Sequence, residues 1–531
     1  MPATTIPATT AVKTSPASTP LKALMPLPVA VLASAIAGVA MVLASPAIGW
    51  WPLTFVSVTL LLSALVGRRA TIAALLGFTY GAVFYGLLLA WVGAFLGPLP
   101  RIALTTLEAL LSGIGAVLIA LAYRWTARTP RRSFAQITLV PMLIGGLWTT
   151  GELLAGSWPY GGFPWARLGM TQVNGPLAEV ASWTGVTGLS FLCAVIAAAV
   201  LQWLRGGGLR FCLGLLPAIV LVGILIVTPQ FPTTSNGTFR IGWVQGNGPA
   251  GYFDRKQQGD LLAGQTAASA PLFGRPMDLL VWPEGSVDSD PLRNPATQTV
   301  LNQISSAAGA PLLANAATTR NGQTFNTSML WTPDKVSPQL YDKRNPVPFG
   351  EYVPDRWLYG KLAPDLVGLI QREYTPGRTP SVVTVGNTTI GLAICFDVIF
   401  DPVLWDGARN GAQVYVFQTN NADFRGTDEN LQQLAFARMR AIETGRSVIN
   451  ISTAGTSQAI DPTGKTIATA PAGAASAKLT TVNLRTGLTP AVILGPWLSL
   501  LIPCGTIAAL IVTVTRSHRR PSLPTRLISS S

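Results

Sequence analysis

The chain has 531 residues, of which 49% are hydrophobic and only 11% are charged, and its mean hydropathy is +0.41. These values indicate a membrane protein. The net charge of +14 does not indicate nucleic-acid binding, because residues 230–487 hold 21 basic and 20 acidic residues and the excess lies in short segments between apolar runs.

Apolar runs dominate the first 230 residues. A Thr-, Pro- and Ala-rich segment at 1–22 predicts a disordered cytoplasmic tail. Spans of roughly 20 residues, long enough to cross a bilayer, are predicted near 24–45, 50–66, 71–96, 102–123, 137–155, 177–203, 209–228 and 490–514. The predicted organisation is therefore a tail at 1–22, transmembrane helices 1–7 within 23–229, a separate domain at 230–487, helix 8 within 488–515 and a basic cytoplasmic tail at 516–531.

Basic residues are unevenly distributed between these spans. With the N-terminus inside, cytoplasmic segments hold 14 Lys and Arg residues, whereas the short outer loops hold only Arg101 and Arg167. The positive-inside rule then puts both termini in the cytoplasm and residues 230–487 outside the cytoplasmic membrane. The outer loop at 161–169 is rich in Gly, Pro and aromatic residues. It is either an interfacial turn or a rim contacting lipid or substrate, with Arg167 facing phosphates.

The outer domain has the pattern of an α/β protein. A helix is predicted over Glu429–Thr444 from its apolar spacing. Short β-rich runs are predicted at 238–245, 278–282, 311–314, 328–331, 388–394, 414–418 and 447–452. In such a sandwich, catalytic residues are expected beyond the carboxyl ends of strands.

Three residues in this domain could act together as a nucleophilic site. The single histidine, His518, lies in the C-terminal tail, so Ser–His–Asp and Cys–His chemistry is not available. Glu284 and Cys395 each follow an apolar strand, and Lys343 lies in Tyr-Asp-Lys-Arg-Asn-Pro. A carboxylate can take the thiol proton, and a lysine with the backbone amide of Phe396 can stabilise an oxyanion.

These motifs resemble the Glu–Lys–Cys triad of the nitrilase (carbon–nitrogen hydrolase) superfamily. Trp-Pro-Glu at 282–284, Lys343 and Ile-Cys-Phe-Asp at 394–397 give the likeness. Further motifs at 244–247, 345–354 and 437–446, with Gly-Phe-Pro-Trp at 162–165, are similar to the membrane branch, the apolipoprotein N-acyltransferase family. The resemblance covers roughly residues 30–510 and implies an αββα sandwich outside a helical membrane domain.

The resemblance also implies residue roles. Glu284 is the general base, Lys343 stabilises the tetrahedral intermediate, Cys395 is the acylated nucleophile, and Glu351 supports the lysine. Phe396 and Asp397 stand where the family often has Tyr-Glu. Four further residues are expected to contact the substrate, two of them in the outer loop described above: Trp165, Arg167, Tyr252 and Asn420.

The implied reaction is ping-pong acyl transfer in a bacterial inner membrane. A fatty acyl chain passes from a membrane phospholipid, through a Cys395 thioester, to the α-amine of the S-diacylglyceryl-cysteine of an apolipoprotein. No metal or cofactor and no nucleic acid is expected, and a monomer is the default. Two alternatives stay open: a membrane-anchored amidase or nitrilase that hydrolyses C–N bonds, and a non-catalytic lipoprotein-binding scaffold.

Overall fold

The computed structural model describes residues 21–127, 135–206, 216–333, 335 and 337–518. Apart from residues 21–22 and 516–518, the two predicted terminal tails lie outside this part of the chain, and so does the side chain of His518.

An all-helical part comes first, and one long helix closes the chain. In the described residues, its α-helices are Leu27–Ala44, Leu53–Leu65, Ala70–Leu88, Val92–Leu96, Pro98–Thr126, Val140–Ala155, Ala181–Gly206, Leu216–Val227 and Pro490–His518. Six helical segments of that described part are long and apolar enough to cross a membrane: Leu27–Ala44, Ala70–Leu88, Pro98–Thr126, Ile137–Ala155, Ala178–Arg205 and Pro490–Arg516.

Eight membrane spans were predicted from the sequence, and two of them are not among these six helical segments. The span near 50–66 is a helix of only 13 residues, Leu53–Leu65. Pro52 precedes its first turn, and Gly67, with a φ of 74°, ends the segment in a conformation that favours glycine. The span near 209–228 is described only over Leu216–Val227, because residues 207–215 lie outside the described ranges.

Small residues let two of the long helices approach closely. A Cβ atom at Gly77 would lie 2.4 Å from the Cβ of Ala116, and one at Gly81 would lie 2.7 Å from the Cα of Ala109. Both contacts join helix Ala70–Leu88 to helix Pro98–Thr126. Close backbone approach through small residues is typical of helix packing in membranes, where burying apolar surface gives no advantage over lipid.

The second part is a sandwich of two six-stranded sheets. Strand order in the first sheet is β12 (Ser476–Thr486), β1 (Thr234–Gln245), β2 (Leu279–Val281), β3 (Leu312–Arg320), β4 (Gln323–Trp331) and β5 (Gln339–Asp342). Strand order in the second is β11 (Thr466–Ala470), β10 (Ser457–Ile460), β9 (Val448–Ser452), β8 (Val414–Thr419), β7 (Thr388–Ile394) and β6 (Val382–Val385).

A continuous apolar core joins the facing surfaces of the two sheets. It includes Ile241 and Val281 from the first sheet and Ile390, Val416 and Ile449 from the second, all fully buried. The remaining α-helices of this domain are Asp260–Ser269, Pro295–Ala308, Arg356–Leu362, Pro364–Leu369, Asp401–Arg409 and Glu429–Thr444. Leu301 and Ile304 pack against the outer face of the first sheet, and Leu434 and Ile442 belong to the core outside the second. The result is the expected αββα sandwich.

A buried charge cluster joins the helical part to the sandwich. Arg167, in the loop after helix Val140–Ala155, is 2.6 Å from Asp401, and Arg440 is 2.7 Å from the same carboxylate. Arg440 also pairs with Glu443 and donates to the carbonyls of Val398 and Ile399. Burial alone would raise the pKa of Asp401, but the two guanidinium groups lower it to about 2. The cluster therefore holds a membrane-side loop against the turn that contains Cys395.

Asp401→Asn should destabilise this junction strongly. The substitution leaves two buried guanidinium groups without their shared carboxylate, which typically costs about 3–5 kcal/mol. Denaturant unfolding of the detergent-solubilised protein, followed by tryptophan fluorescence, measures the loss. Asp278→Asn is the matched control: its partner Arg240 is 4.0 Å away and both side chains are over one-third exposed, so a change below about 1 kcal/mol is expected. Equal losses in the two variants would contradict the assigned role.

Candidate active site

Cys395 lies at a sharp turn beyond the carboxyl end of β7. The strand passes directly into the short 3₁₀ helix Cys395–Ile399, and Cys395 has a φ of 48°. Positive φ is uncommon for a residue with a side chain and is often found at functional sites. The side chain is half-buried. The turn therefore projects the sulfur beyond the edge of the second sheet.

Lys343 lies between two carboxylates. Its Nζ is 2.8 Å from Glu351 Oε2 and 3.4 Å from Glu284 Oε1, and its side chain is only 1% exposed. Glu284 follows β2, and Lys343 follows β5, so both come from the first sheet. The structure thus brings together the glutamate and lysine predicted from sequence, with the supporting glutamate beside them.

One asparagine, which the sequence reasoning did not find, organises both carboxylates. Asn326 Nδ2 donates to Glu284 Oε1 at 2.7 Å and to Glu351 Oε1 at 3.2 Å. Its Oδ1 accepts from Asn315 Nδ2 at 2.9 Å, which fixes the orientation of the amide. Neither asparagine belongs to a recognisable motif, and each is identified only by its position on adjacent strands.

Asp397 connects the segment that contains Lys343 to the turn that contains Cys395. Its carboxylate accepts from Tyr341 Oη at 2.8 Å, and from the backbone and side-chain amides of Asn345 at 2.8 and 2.9 Å. Tyr341 is in β5 and Asn345 follows Lys343, whereas Asp397 follows Cys395. The fully buried aspartate therefore connects the active-site edges of the two sheets.

Burial and charge decide how protons are held here. Burial, and then the nearby Glu284, raise the pKa of the Cys395 thiol well above its ordinary value. Burial also raises the pKa of Glu284, although Lys343 opposes that change. For Lys343 burial disfavours the ammonium, but Glu284 and Glu351 together raise its pKa well above the usual range. The resting site thus favours a protonated thiol near an ammonium and a carboxyl group of increased proton affinity.

Two expected substrate contacts are buried inside the protein. The Arg167 guanidinium binds Asp401 and Thr187 and is 7% exposed, so it does not face phosphates as predicted. Trp165 is also buried, and its Nε1 donates to Gln432 at 2.7 Å. The apolar loop that contains both residues was interpreted as a surface that contacts lipid. It folds into the protein instead, because Asp401 binds Arg167 and Gln432 binds Trp165.

The other two lie nearer the surface. Tyr252 is 44% exposed, and its hydroxyl donates to the Leu369 carbonyl. Asn420 donates to the Ala250 carbonyl at 3.0 Å and accepts from the Ala422 amide, so it braces the loop that contains Tyr252. Neither position conflicts with a substrate contact, and both stay predictions.

A row of aromatic rings extends from the turn that contains Cys395 to the protein surface. Neighbouring ring centroids along this aromatic row are 5.1–6.3 Å apart. The aromatic row consists, in order, of Phe396, Phe163, Trp165, Trp91, Phe424, Phe95 and Phe253. Phe396 directly follows Cys395, and Phe253 at the far end is 59% exposed. An apolar wall therefore leads away from the sulfur.

Comparisons with known proteins agree with both parts of the fold. Residues 37–199 match the model of the apolipoprotein N-acyltransferase N-terminal domain, and residues 240–488 match that of carbon–nitrogen hydrolases. An apolipoprotein N-acyltransferase from Mycolicibacterium smegmatis is 30% identical, over 91% of this chain and 84% of that protein. One from Geobacter metallireducens is 27% identical, over 82% of this chain and 85% of that protein. The chain belongs to the apolipoprotein N-acyltransferase family.

Proposed function

We propose that this membrane enzyme moves a fatty acyl chain from a phospholipid to the α-amine of the S-diacylglyceryl-cysteine of an apolipoprotein, through a thioester on Cys395. The family is that of lipoprotein N-acyltransferases, which gives a lipid donor and a lipoprotein acceptor in general terms. The main structural support is the buried group of Glu284, Lys343 and Glu351 at the edge of the first sheet, close enough to the Cys395 turn of the second sheet for all three charges to act on the thiol.

In the first half-reaction, Glu284 takes the thiol proton as the sulfur attacks the ester carbonyl carbon of the phospholipid. The raised thiol pKa means that the proton must be removed during attack rather than beforehand. Lys343 and the Phe396 amide stabilise the oxyanion. The ester C–O bond then breaks, Glu284 returns the proton to the leaving oxygen, and a lysophospholipid departs.

In the second half-reaction, the unprotonated α-amine of the lipoprotein attacks the thioester carbon. An N–C bond forms, the C–S bond breaks, and Glu284 passes the amine proton to the departing sulfur. The products are an amide-linked acyl chain and the free Cys395 thiol. Glu351, 2.8 Å from Lys343 and also bound to the Val347 amide, keeps the ammonium in place through both steps.

The aromatic row suits this chemistry. Its rings come from the helical part and the sandwich alike and form an apolar surface beside the Cys395 turn that keeps water from the thioester. We further propose that the protein works as a monomer in the inner membrane with residues 230–487 on the periplasmic side. The 14-to-2 distribution of basic residues supports that orientation.

The acyl-enzyme is the decisive species to detect. Wild-type protein and Cys395→Ala are incubated with phospholipid alone and analysed by intact-mass and peptide mass spectrometry. We expect a fatty-acyl increment on the peptide containing Cys395 that hydroxylamine removes and that Cys395→Ala lacks. A folded wild-type protein that stays unmodified, or that instead releases ammonia from small amides, would contradict the proposal and favour the amidase alternative.

A further inference from the structure

A buried amide outside the Glu–Lys–Cys triad contacts the sulfur of Cys395. Gln433 Nε2 lies 3.4 Å from Cys395 Sγ, within hydrogen-bonding distance for sulfur. Gln433 is in the second turn of helix Glu429–Thr444 and is only 2% exposed. The effect of Gln433 on the sulfur depends on whether its NH₂ group or its oxygen faces the sulfur.

The neighbouring side chain fixes the orientation of this amide. Asn421 Nδ2 donates to Gln433 Oε1 at 2.9 Å. Because the oxygen of Gln433 is occupied by that donor, its NH₂ group points to the sulfur. A reversed amide would place two NH₂ groups against each other and leave the sulfur facing an oxygen, which would oppose a thiolate.

Asn421 is itself fixed in turn. Its Nδ2 also donates to Glu429 Oε2 at 2.7 Å, and its Oδ1 accepts from Ser452 Oγ at 2.6 Å. Asn421 and Glu429 are each only 2% exposed. A carboxylate oxygen and a hydroxyl therefore hold the two ends of the asparagine amide, and one orientation is imposed along the chain Glu429–Asn421–Gln433–Cys395.

We propose that Gln433 is a further catalytic residue, which donates a hydrogen bond to the Cys395 thiolate whenever it forms, and that Asn421 and Glu429 are positioning residues for that donor. The proposal rests on the proposed function only in taking Cys395 as the nucleophile. The thiolate forms twice in each cycle, as the sulfur attacks the ester and as it leaves the thioester, so the donor acts in both half-reactions.

The charges around the sulfur explain why such a donor is useful. Glu284 and Glu351 disfavour a thiolate, as does Glu429 when it is ionised, and Lys343 is the one cation among the groups acting most strongly on Cys395. That lysine already pairs with two of these carboxylates. A neutral amide stabilises the thiolate without attracting a further anion.

Glu429 adds little negative charge beside the sulfur at neutral pH. Burial raises the pKa of this carboxyl to about 8, while its bond from Asn421 acts in the opposite direction. Below that pH the group is mostly protonated, and above it the carboxylate opposes thiolate formation. The acceptor for Asn421 is thus present without a permanent charge next to the nucleophile.

Alkylation of Cys395 tests the proposal without lipid or lipoprotein. The rate of iodoacetamide modification is measured against pH on the full-length protein in detergent, with Cys395 followed by peptide mass spectrometry. Gln433→Leu removes the donor, and we expect the midpoint of the profile to rise by about 1–2 pH units, the equivalent of one hydrogen bond to a charged group. Gln433→Met, a second apolar replacement, should give the same rise.

Two matched sets of controls separate this role from general packing. Gln432 is the adjacent residue, is also buried and binds Trp165 instead of the sulfur, so Gln432→Leu should leave the midpoint unchanged. Glu429→Gln keeps an oxygen for Asn421 and should not raise the midpoint.

The proposal is overturned if Gln433→Leu and Gln433→Met leave the midpoint within about 0.3 pH units of wild type. It is also overturned if Gln432→Leu causes the same rise, because the shift would then reflect the packing of the helix. Failure of the acyl-transfer reaction would be seen separately, as missing acylation of Cys395 in a protein whose alkylation profile still depends on Gln433.

Discussion

Lys343→Met should lower the rate of Cys395 acylation by about 10²–10³-fold and also destabilise the protein. The methionine occupies a similar volume but leaves Glu284 and Glu351 facing each other without the ammonium that lies 3.4 and 2.8 Å from them. Removing one partner from a buried ion pair costs about 3–5 kcal/mol. Losing an oxyanion donor lowers the rate of acylation by a factor of about 10²–10³. Single-turnover acylation and denaturant unfolding measure the two effects.

A double variant separates catalysis from stability in this prediction. Adding Glu351→Gln to Lys343→Met removes one of the two unpaired carboxylates, so we expect part of the lost stability to return while acylation stays as slow as in Lys343→Met. Lys465→Met, at an exposed position of the same domain, is the control and should behave like wild type. Recovery of acylation in the double variant would show that Lys343 has only a structural role.

Glu284→Gln should lower the rate of Cys395 acylation by about 10³–10⁴-fold with little loss of stability. The amide has the same shape and can still accept a hydrogen bond from Asn326, but it cannot accept the thiol proton, and general-base catalysis is worth up to about 10⁴-fold. Pre-steady-state acylation with a fluorescent phospholipid gives the rate, and the melting profile in detergent gives the stability.

The pH dependence of the acylation rate is a second test of Glu284→Gln. Burial raises the pKa of Glu284 above its ordinary value of 4.5. Because the base acts when deprotonated, the wild-type rate should fall as pH decreases through that raised pKa, and the acid limb should therefore lie above pH 4.5. The residual rate of Glu284→Gln should lack this limb. Glu373→Gln, an exposed control, should keep it, and a limb that persists in Glu284→Gln would exclude Glu284 as the base.

Strong local signals allowed much of the architecture to be predicted from the sequence. The strand Thr388–Ile394 and the helix Glu429–Thr444 have the predicted bounds, because each has an uninterrupted apolar pattern and a clear end. The strand Ser476–Thr486 was missed, since polar residues outnumber apolar ones in it and only part of it is buried. Its place in the sheet is decided by pairing with a strand distant in sequence, which no local pattern indicates.

In the active site too, residues with a local sequence signal were predicted and residues whose role depends on distant contacts were not. Glu284, Lys343 and Cys395 were found because chemically reactive side chains lie in distinctive motifs. Asn326 and Gln433 were not found, because an amide has no reactive signature and its role depends on what lies across the fold from it. Arg167 was assigned to lipid phosphates because its buried partner, Asp401, is 234 residues away in sequence.

The pairing of β1 with β12 affects the order in which the domain can fold during synthesis. Thr234, at the start of β1, is aligned with Thr486, at the end of β12, about 250 residues later. Strand β1 is therefore an open edge, with unpaired amides and carbonyls, until the ribosome has almost reached the final helix. Contacts so distant in sequence form slowly. Completion of the sandwich thus coincides with synthesis of the last membrane segment, and a chain truncated before residue 476 would present an exposed edge strand to proteases and to other unfinished chains.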